Sequence, residues 1–375
     1  MIKAAEREDS GFLSTGGGCP LAGLGTPAPC NSENLSALPS PAHLDRASRS
    51  RCHRLAPFCL PQANRAVPAA GGDVGCFSYT AARDRWYRLS FSSAGLRCAT
   101  VDIHGATTVQ CWVPRFSDPW KPSVILIHGF GANATWQWDP LLRPLISSFN
   151  VYVPDLLFFG GSFTTRPERT ESFQADCVVA AMDALGVRRA SLVGISYGGF
   201  VGYRMAAAYP DRVERVVLCC AGVSLEERDL RTGLFVVDDV RDAAAILIPQ
   251  TPVNLRKLLA LSFARPPRRV PSCFLSDFIQ VMCMDYVEEK TELLLSAIND
   301  RKLSDLPKIS QQDQIFPLEL GHRLCRHLEG NSRLVVIKKA GHAVNIEKPK
   351  EFCKHLKSFL IDSHHNFQMT NNRIE

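Results

Sequence analysis

The sequence predicts an α/β fold, with a mostly parallel sheet, helices on both faces and an all-helical insertion. Three observations predict it. Short continuous apolar runs end at turns that contain glycine, as strands buried on both faces do. Helical segments with one apolar face alternate with those runs, the mark of βαβ units. Residues 223–300 then interrupt the alternation with helix-like sequence alone.

The elements follow in chain order. Residues 1–76 are rich in Gly, Pro, Ala and Ser and show no hydrophobic period, so they bury too little surface to offset their ordering entropy. A disordered extension is expected. Between Ser10 and Gly72 the acids are Glu33 and Asp45, against Arg46, Arg49, Arg51, Arg54 and Arg65, which makes a transit peptide the alternative. Glu6, Glu8 and Asp9 argue against that alternative. Residues 77–222 hold the first part of the core, with strands expected at Ser123–His128, Asn150–Leu157, Arg189–Ser196 and Val213–Gly222. A helix is expected over "TESFQADCVVAAMDALG", with Thr170 as its cap, Phe173, Cys177, Ala181 and Leu185 on one face, and Gly186 as its stop. The helical insertion 223–300 reads as a lid over the strand ends, where open α/β sheets bind ligands. Residues 301–362 complete the core with a last strand expected at Arg333–Gly341 and a helix over Glu351–Leu360. Residues 363–375 read as a polar tail.

Composition excludes several function classes. The chain has 375 residues, 46% hydrophobic and 21% charged, with a net charge of +6. That charge is too mild for a nucleic-acid footprint. The most apolar stretch, Ala243–Ala264, is broken by Pro249, Pro252 and the pair Arg256–Lys257, so it does not span a membrane. The 14 cysteines include no C-x-x-C pair, and Cys219 and Cys220 are adjacent inside an apolar run. They read as buried or idle thiols of a reducing compartment, with neither disulfides nor a zinc site. No metal or cofactor is expected. The start "MIKAAEREDS" lacks a secretory apolar core, so a cytoplasmic location is expected, or a plastid one if residues 1–76 act as a transit peptide.

Three motifs carry chemistry. "GISYGG" (Gly194–Gly199) holds G-x-S-x-G between an expected strand and an expected helix. A serine at such a sharp turn has strained angles, and Gly194 and Gly198 relieve the crowding that side chains would create there. Ser196 is the candidate nucleophile. "HGFGAN" (His128–Asn133) follows the first buried strand. Acyl transfer needs two donors for the developing oxyanion. The N–H groups of Phe130, after the turn at Gly129, and of Tyr197, after the serine, are the candidates, with His128 shaping the turn. "AGHAVNIEKP" (Ala340–Pro349) places His342 on a loop late in the chain, suited to accept the serine proton near neutral pH.

On these residues the chain resembles the α/β-hydrolase fold serine hydrolases from about Ser78 to Asp362. It is most similar to plant proteins of the monoacylglycerol-lipase-like and meta-cleavage-product-hydrolase-like group. The segments that carry the likeness are "HGFGANATWQW", "PDLLFFGGS", "GISYGGFVGYRMA", "DQIFPLELGHRL" and "VVIKKAGHAVNIEKP". The resemblance implies Ser196 as nucleophile, His342 as base, Asp313 as triad acid, and a helical lid at 223–300. It implies a small-molecule ester or lipid substrate, such as a monoacylglycerol. Carbon–carbon bond hydrolysis by the same triad is an alternative.

One departure stands out. Relatives carry an apolar strand just before the acid, whereas "PKISQQDQIFP" offers only Ile309 for a core position. One inner strand is thus expected to be missing. A catalytically impaired, ligand-binding relative is therefore a further alternative, with Asp300 and Asp305 as weaker substitute acids. The stretch Asn254–Arg269 is basic and apolar: it suits either an anionic membrane surface or a packed helix with solvated arginines.

Overall fold

The structure is a computed structural model that describes residues 78–226, 229, 239–267, 269–299, 302–305, 323–324, 326–328 and 335–371. The extension 1–76 and the expected acid Asp313 lie outside the described residues, as does Asp300.

Helix α1 (Tyr79–Ser93) opens the described chain, capped by the Ser78 side chain on Ala81 N–H. A hairpin follows, β1 (Leu96–Ile103) and β2 (Thr107–Pro114), paired antiparallel from Leu96–Pro114 to Ile103–Thr107. Its turn puts His104 and Gly105 at positive φ, 56° and 70°, the geometry that matches the twist of two strands. Then come β3 (Ser123–Ile127), α2 (Ala134–Ile146), β4 (Asn150–Pro154), the short β5 (Phe163–Thr164), α3 (Glu171–Ala184), β6 (Ala190–Ile195), α4 (Tyr197–Ala208) and β7 (Val213–Cys219). The strands run in the order β1-β2-β4-β3-β6-β7, with β5 on β2. Pairs β4–β3, β3–β6 and β6–β7 are parallel, and the hairpin joins β4 antiparallel.

Alternation along each parallel strand feeds two cores. Val124, Leu126, Val151, Val153, Val193, Ile195 and Val217 face α2 and the C-terminal helix, against Trp138, Leu142, Phe352 and Leu356. Ile125, Ile127, Tyr152, Leu192, Val216 and Leu218 face α3 and α4, against Val178, Met182, Val201 and Tyr203. Burial on both faces explains why these strands read as unbroken apolar runs. The helix expected after Thr170 forms with that residue capping Phe173 N–H, and Gly186 follows its end at φ +76°.

The insertion contains α5 (Val240–Leu247), α6 (Pro252–Ser262), α7 (Ser272–Met282) and α8 (Val287–Ile298). The second long helical stretch breaks between Cys283 and Tyr286, where Tyr286 adopts φ +55°. In α6, Leu255 is buried with Leu275 and Ile279 while Leu258 and Leu259 pack beside them, so these three leucines are spent on helix packing, and Val253 is exposed. No helix among the described residues is long and apolar enough to cross a membrane.

The strand expected at Arg333–Gly341 is a correction. Arg333 and Leu334 lie outside the described residues, and Val335–Ile337 form no strand. Val335 and Ile337 still pack on the α2-side core. The physical reason is packing: Val335 and Ile337 are held against the α2 side of the core, and no described strand pairs with them, β7 being the last strand of the sheet among the described residues. The segment leads instead into α9 (Val344–Glu347) and α10 (Pro349–Asn371), whose Phe352, Leu356, Phe359 and Leu360 are buried. Helix α10 continues through the boundary expected at 362.

Candidate active site

Ser196 joins β6 to α4 at φ 54° and ψ −123°, a region that non-glycine residues rarely occupy. Its N–H donates to Cys219 O at 2.8 Å and its carbonyl accepts from Gly199 N–H at 2.9 Å, so both neighbours hold the turn. The elbow is packed backbone against backbone. A Cβ on Gly198 would stand 2.3 Å from Ile127 O and 2.6 Å from His128 O, and one on Gly194 2.3 Å from Gly198 O. Neither position accepts alanine without moving backbone, the end of β3 for Gly198 and the start of α4 for Gly194. We expect Gly198→Ala to lower stability by about 4 kcal/mol or more. Gly202, one turn further along α4, is different: a Cβ there meets Val216 at 3.7 Å, an ordinary contact. Gly202→Ala should therefore raise stability by up to about 1 kcal/mol, the helix preference for alanine. Thermal denaturation of the two variants checks the contrast.

The turn after β3 lies directly on the elbow, since a Cβ on Gly129 would be 2.6 Å from Ser196 Cβ. This brings the Phe130 segment beside the serine. His128 is fully buried and structural, as its motif suggested. Leu156 N–H donates to its Nε2 at 2.9 Å, which leaves Nδ1 to donate to Gly129 O at 2.8 Å. Burial holds its basicity below the ordinary imidazole value, so it stays neutral. Asp155, also buried, accepts from Ala134 N–H at the start of α2 and from Gln110 Nε2. Desolvation raises its pKa, and the hydrogen bonds from Ala134 N–H and Gln110 oppose that rise.

His342 lines one cleft with Ser196, although Val335–Ile337, in the described part of the strand expected to deliver it, form no strand. Other contacts hold its loop. Gly341 N–H donates to Glu347 Oε2 at 2.6 Å and Ala343 N–H to Ser262 O at 2.9 Å. Asn345 Nδ2 donates to Gln137 O at 2.6 Å, and Val344 is buried in the α2-side core. The loop is thus moored to α2 and to the end of α6. Of the expected triad, Ser196 and His342 come together, and Asp313 lies outside the described residues.

The free space of the cleft, with any part that opens to solvent, is about 570 Å³. Phe130, Phe200, Leu225, Leu247, Leu294 and Ile298 wall it, so the insertion contributes its side through α5 and α8. Phe130 packs edge-on against Tyr197 at 4.9 Å and Phe159 at 5.4 Å, which stiffens one wall. Among the described residues no cluster of His, Cys, Asp or Glu suits a metal ion.

Cys220 also lines the cleft, at φ +46°, where sequence reading saw an idle thiol. The Cys219 S–H donates to its sulfur at 3.9 Å, and this hydrogen bond lowers the Cys220 pKa. Half-buried beside the serine, it is a thiol whose alkylation would fill the cleft. N-ethylmaleimide should abolish turnover of the wild type and leave a Cys220→Ser variant at more than half its activity, measured by residual rate after treatment. The signal was hidden because a Cys–Cys pair at a strand end reads as plain core.

Comparisons with known proteins agree with this architecture. Residues 122–256 match the family model described as alpha/beta hydrolase fold. The 2-hydroxy-6-oxo-2,4-heptadienoate hydrolase of Pseudomonas putida is 31% identical over 258 residues, 63% of this chain and 88% of that protein. The monoacylglycerol lipase ABHD6 of Bos taurus is 26% identical over 277 residues, 68% of this chain and 80% of that protein. A solved bacterial membrane phospholipase A superposes with a TM-score of 0.61 at 23% identity, covering 75% of this chain and 89% of that chain, a likeness of fold.

Proposed function

We propose a function from one premise: the chain belongs to the alpha/beta hydrolase fold family. Within that family it is a serine hydrolase that cleaves neutral carboxylic esters of apolar acids, monoacylglycerols among them, through an acyl-enzyme on Ser196. The observation that carries this reading is the single cleft that holds Ser196, His342 and a wall of apolar side chains. His342 takes the Ser196 proton as the hydroxyl attacks the ester carbonyl. The N–H groups of Phe130 and Tyr197 hold the oxyanion, helped by the N-terminus of α4 that starts at Tyr197. The intermediate collapses, the leaving alcohol takes the proton from His342, and water repeats the sequence to free the acid. Asp313 orients the histidine, and α5–α8 form the lid that excludes water from the acyl chain.

A second reading, carbon–carbon hydrolysis of a dienoate, draws on the Pseudomonas putida relative, whose name states that substrate. A dienoate carries a carboxylate; among the described residues that line the cleft there is no Lys or Arg to pair with it, and burying it against Phe200, Leu247, Leu294 and Ile298 costs several kcal/mol. An uncharged acyl chain gains from the same walls. The ester reading therefore fits this cleft better.

Purified full-length protein should label at Ser196 with a fluorophosphonate and hydrolyse p-nitrophenyl esters, with kcat/KM rising as the acyl chain lengthens. Turnover of a 2-hydroxy-6-oxo-dienoate without ester hydrolysis would replace the ester reading with the second one. A folded protein that does neither would be a ligand-binding relative.

A further inference from the structure

We infer that Gln137 is a positioning residue that sets the oxyanion turn and the histidine loop against each other. The inference rests on the serine hydrolase reading and adds a residue to it. Gln137 lies in the first turn of α2, inside "HGFGANATWQW", where no motif marked it. Its side-chain amide is spent on a single turn. Oε1 accepts from Gly129 N–H at 2.9 Å, while Nε2 lies 2.9 Å from Gly129 O and 3.2 Å from both Phe130 O and Ala132 O. Two N–H bonds are thus shared among three carbonyls, and the turn closes around one amide where neither a helix nor a ladder supports it. These bonds fix the orientation of the peptide planes of the turn, including the Gly129–Phe130 plane that carries the N–H assigned to the oxyanion.

The main chain of the same residue reaches the other half of the site. Gln137 O accepts from Asn345 Nδ2 at 2.6 Å, and Asn345 is buried at 2% exposure three residues beyond His342. The opposite side of the histidine loop is held independently by Glu347, which accepts from Gly341, Ala264 and Arg265 N–H groups. Gln137 is therefore where the spacing between base and oxyanion donor is set. Catalytic geometry tolerates little drift in that spacing.

The test uses full-length Gln137→Ala and Gln137→Glu, with p-nitrophenyl ester kinetics and hydrogen exchange read by mass spectrometry. In Gln137→Ala, kcat should fall about 100-fold with KM within about threefold, as when an oxyanion donor is misaimed. Amides of Gly129–Ala132 should exchange faster. In Gln137→Glu the acceptor for Gly129 N–H is kept, but near neutral pH a carboxylate oxygen faces three carbonyls. Its kcat relative to wild type should recover as the pH falls through the carboxyl pKa and an O–H donor returns. A residue that only packs the fold would shift the thermal midpoint without that recovery. Wild-type-like kcat in Gln137→Ala, or no pH recovery in Gln137→Glu, would overturn the inference. If the wild type itself neither labels nor turns over, the serine hydrolase reading has failed. Exchange then decides alone: unchanged exchange at Gly129–Ala132 in Gln137→Ala overturns the inference, and faster exchange confined to that turn supports it.

Discussion

Replacing Ser196 with alanine should remove fluorophosphonate labelling and lower kcat about 10⁶-fold, because without the hydroxyl no acyl-enzyme can form. The same position makes an opposite prediction for stability. At φ 54° and ψ −123° the backbone of Ser196 carries strain of about 1–3 kcal/mol, which alanine keeps and glycine relieves. Glycine also costs about 0.5–1 kcal/mol of chain entropy. Ser196→Gly should thus be more stable than Ser196→Ala by about 1 kcal/mol, a rise in thermal midpoint of about 2–4 °C. Both variants should be inactive. Equal midpoints would mean that the elbow is unstrained in solution, and retained turnover in either variant would remove Ser196 from the mechanism.

This position also shows how legible the fold was. The parallel strands were readable because burial on both faces leaves an unbroken apolar run, as in Val124–Ile127 and Ala190–Ile195. The elbow was readable because its glycines answer a steric demand set by nearby backbone, with Gly198 against Ile127 O. The hairpin β1–β2 gave a weaker signal, since its turn uses His104 where asparagine or glycine would advertise positive φ. The supposed strand at Val335–Ile337 misled for the reverse reason: its apolar alternation is real, and those residues pack on the core, but among the described residues no neighbour pairs with it. Gln137 and Asn345 could not be found by pattern at all. Their roles come from side-chain bonds to backbone atoms distant in sequence, which leave no period and no motif.

Replacing Asp313 with asparagine should lower kcat about 10⁴-fold, the loss expected when a triad acid no longer holds its histidine in the right tautomer. The prediction is sharp because the histidine reaches the cleft by moorings that do not involve a strand: Glu347 on Gly341 N–H, Ser262 O on Ala343 N–H, and Gln137 O on Asn345. These fix where the loop lies, but none of them bonds the imidazole ring. On the proposed reading a carboxylate orients the ring, and the likeness carried by "DQIFPLELGHRL", together with the order Ser196, Asp313, His342, makes Asp313 that carboxylate. The pH profile gives a second reading of the same contact. Burial holds His342 well below the ordinary imidazole pKa, and a base must be neutral to accept the serine proton. Asp313 beside the ring, as proposed, would favour the imidazolium and raise that pKa, so the acid limb of kcat/KM in the wild type should lie higher than burial alone would put it. Removing the charge in Asp313→Asn should shift that limb to lower pH while the plateau drops. A plateau within threefold of wild type and an unmoved limb would show that Asp313 does not face His342. The shortened segment before the acid would then have cost this chain its triad.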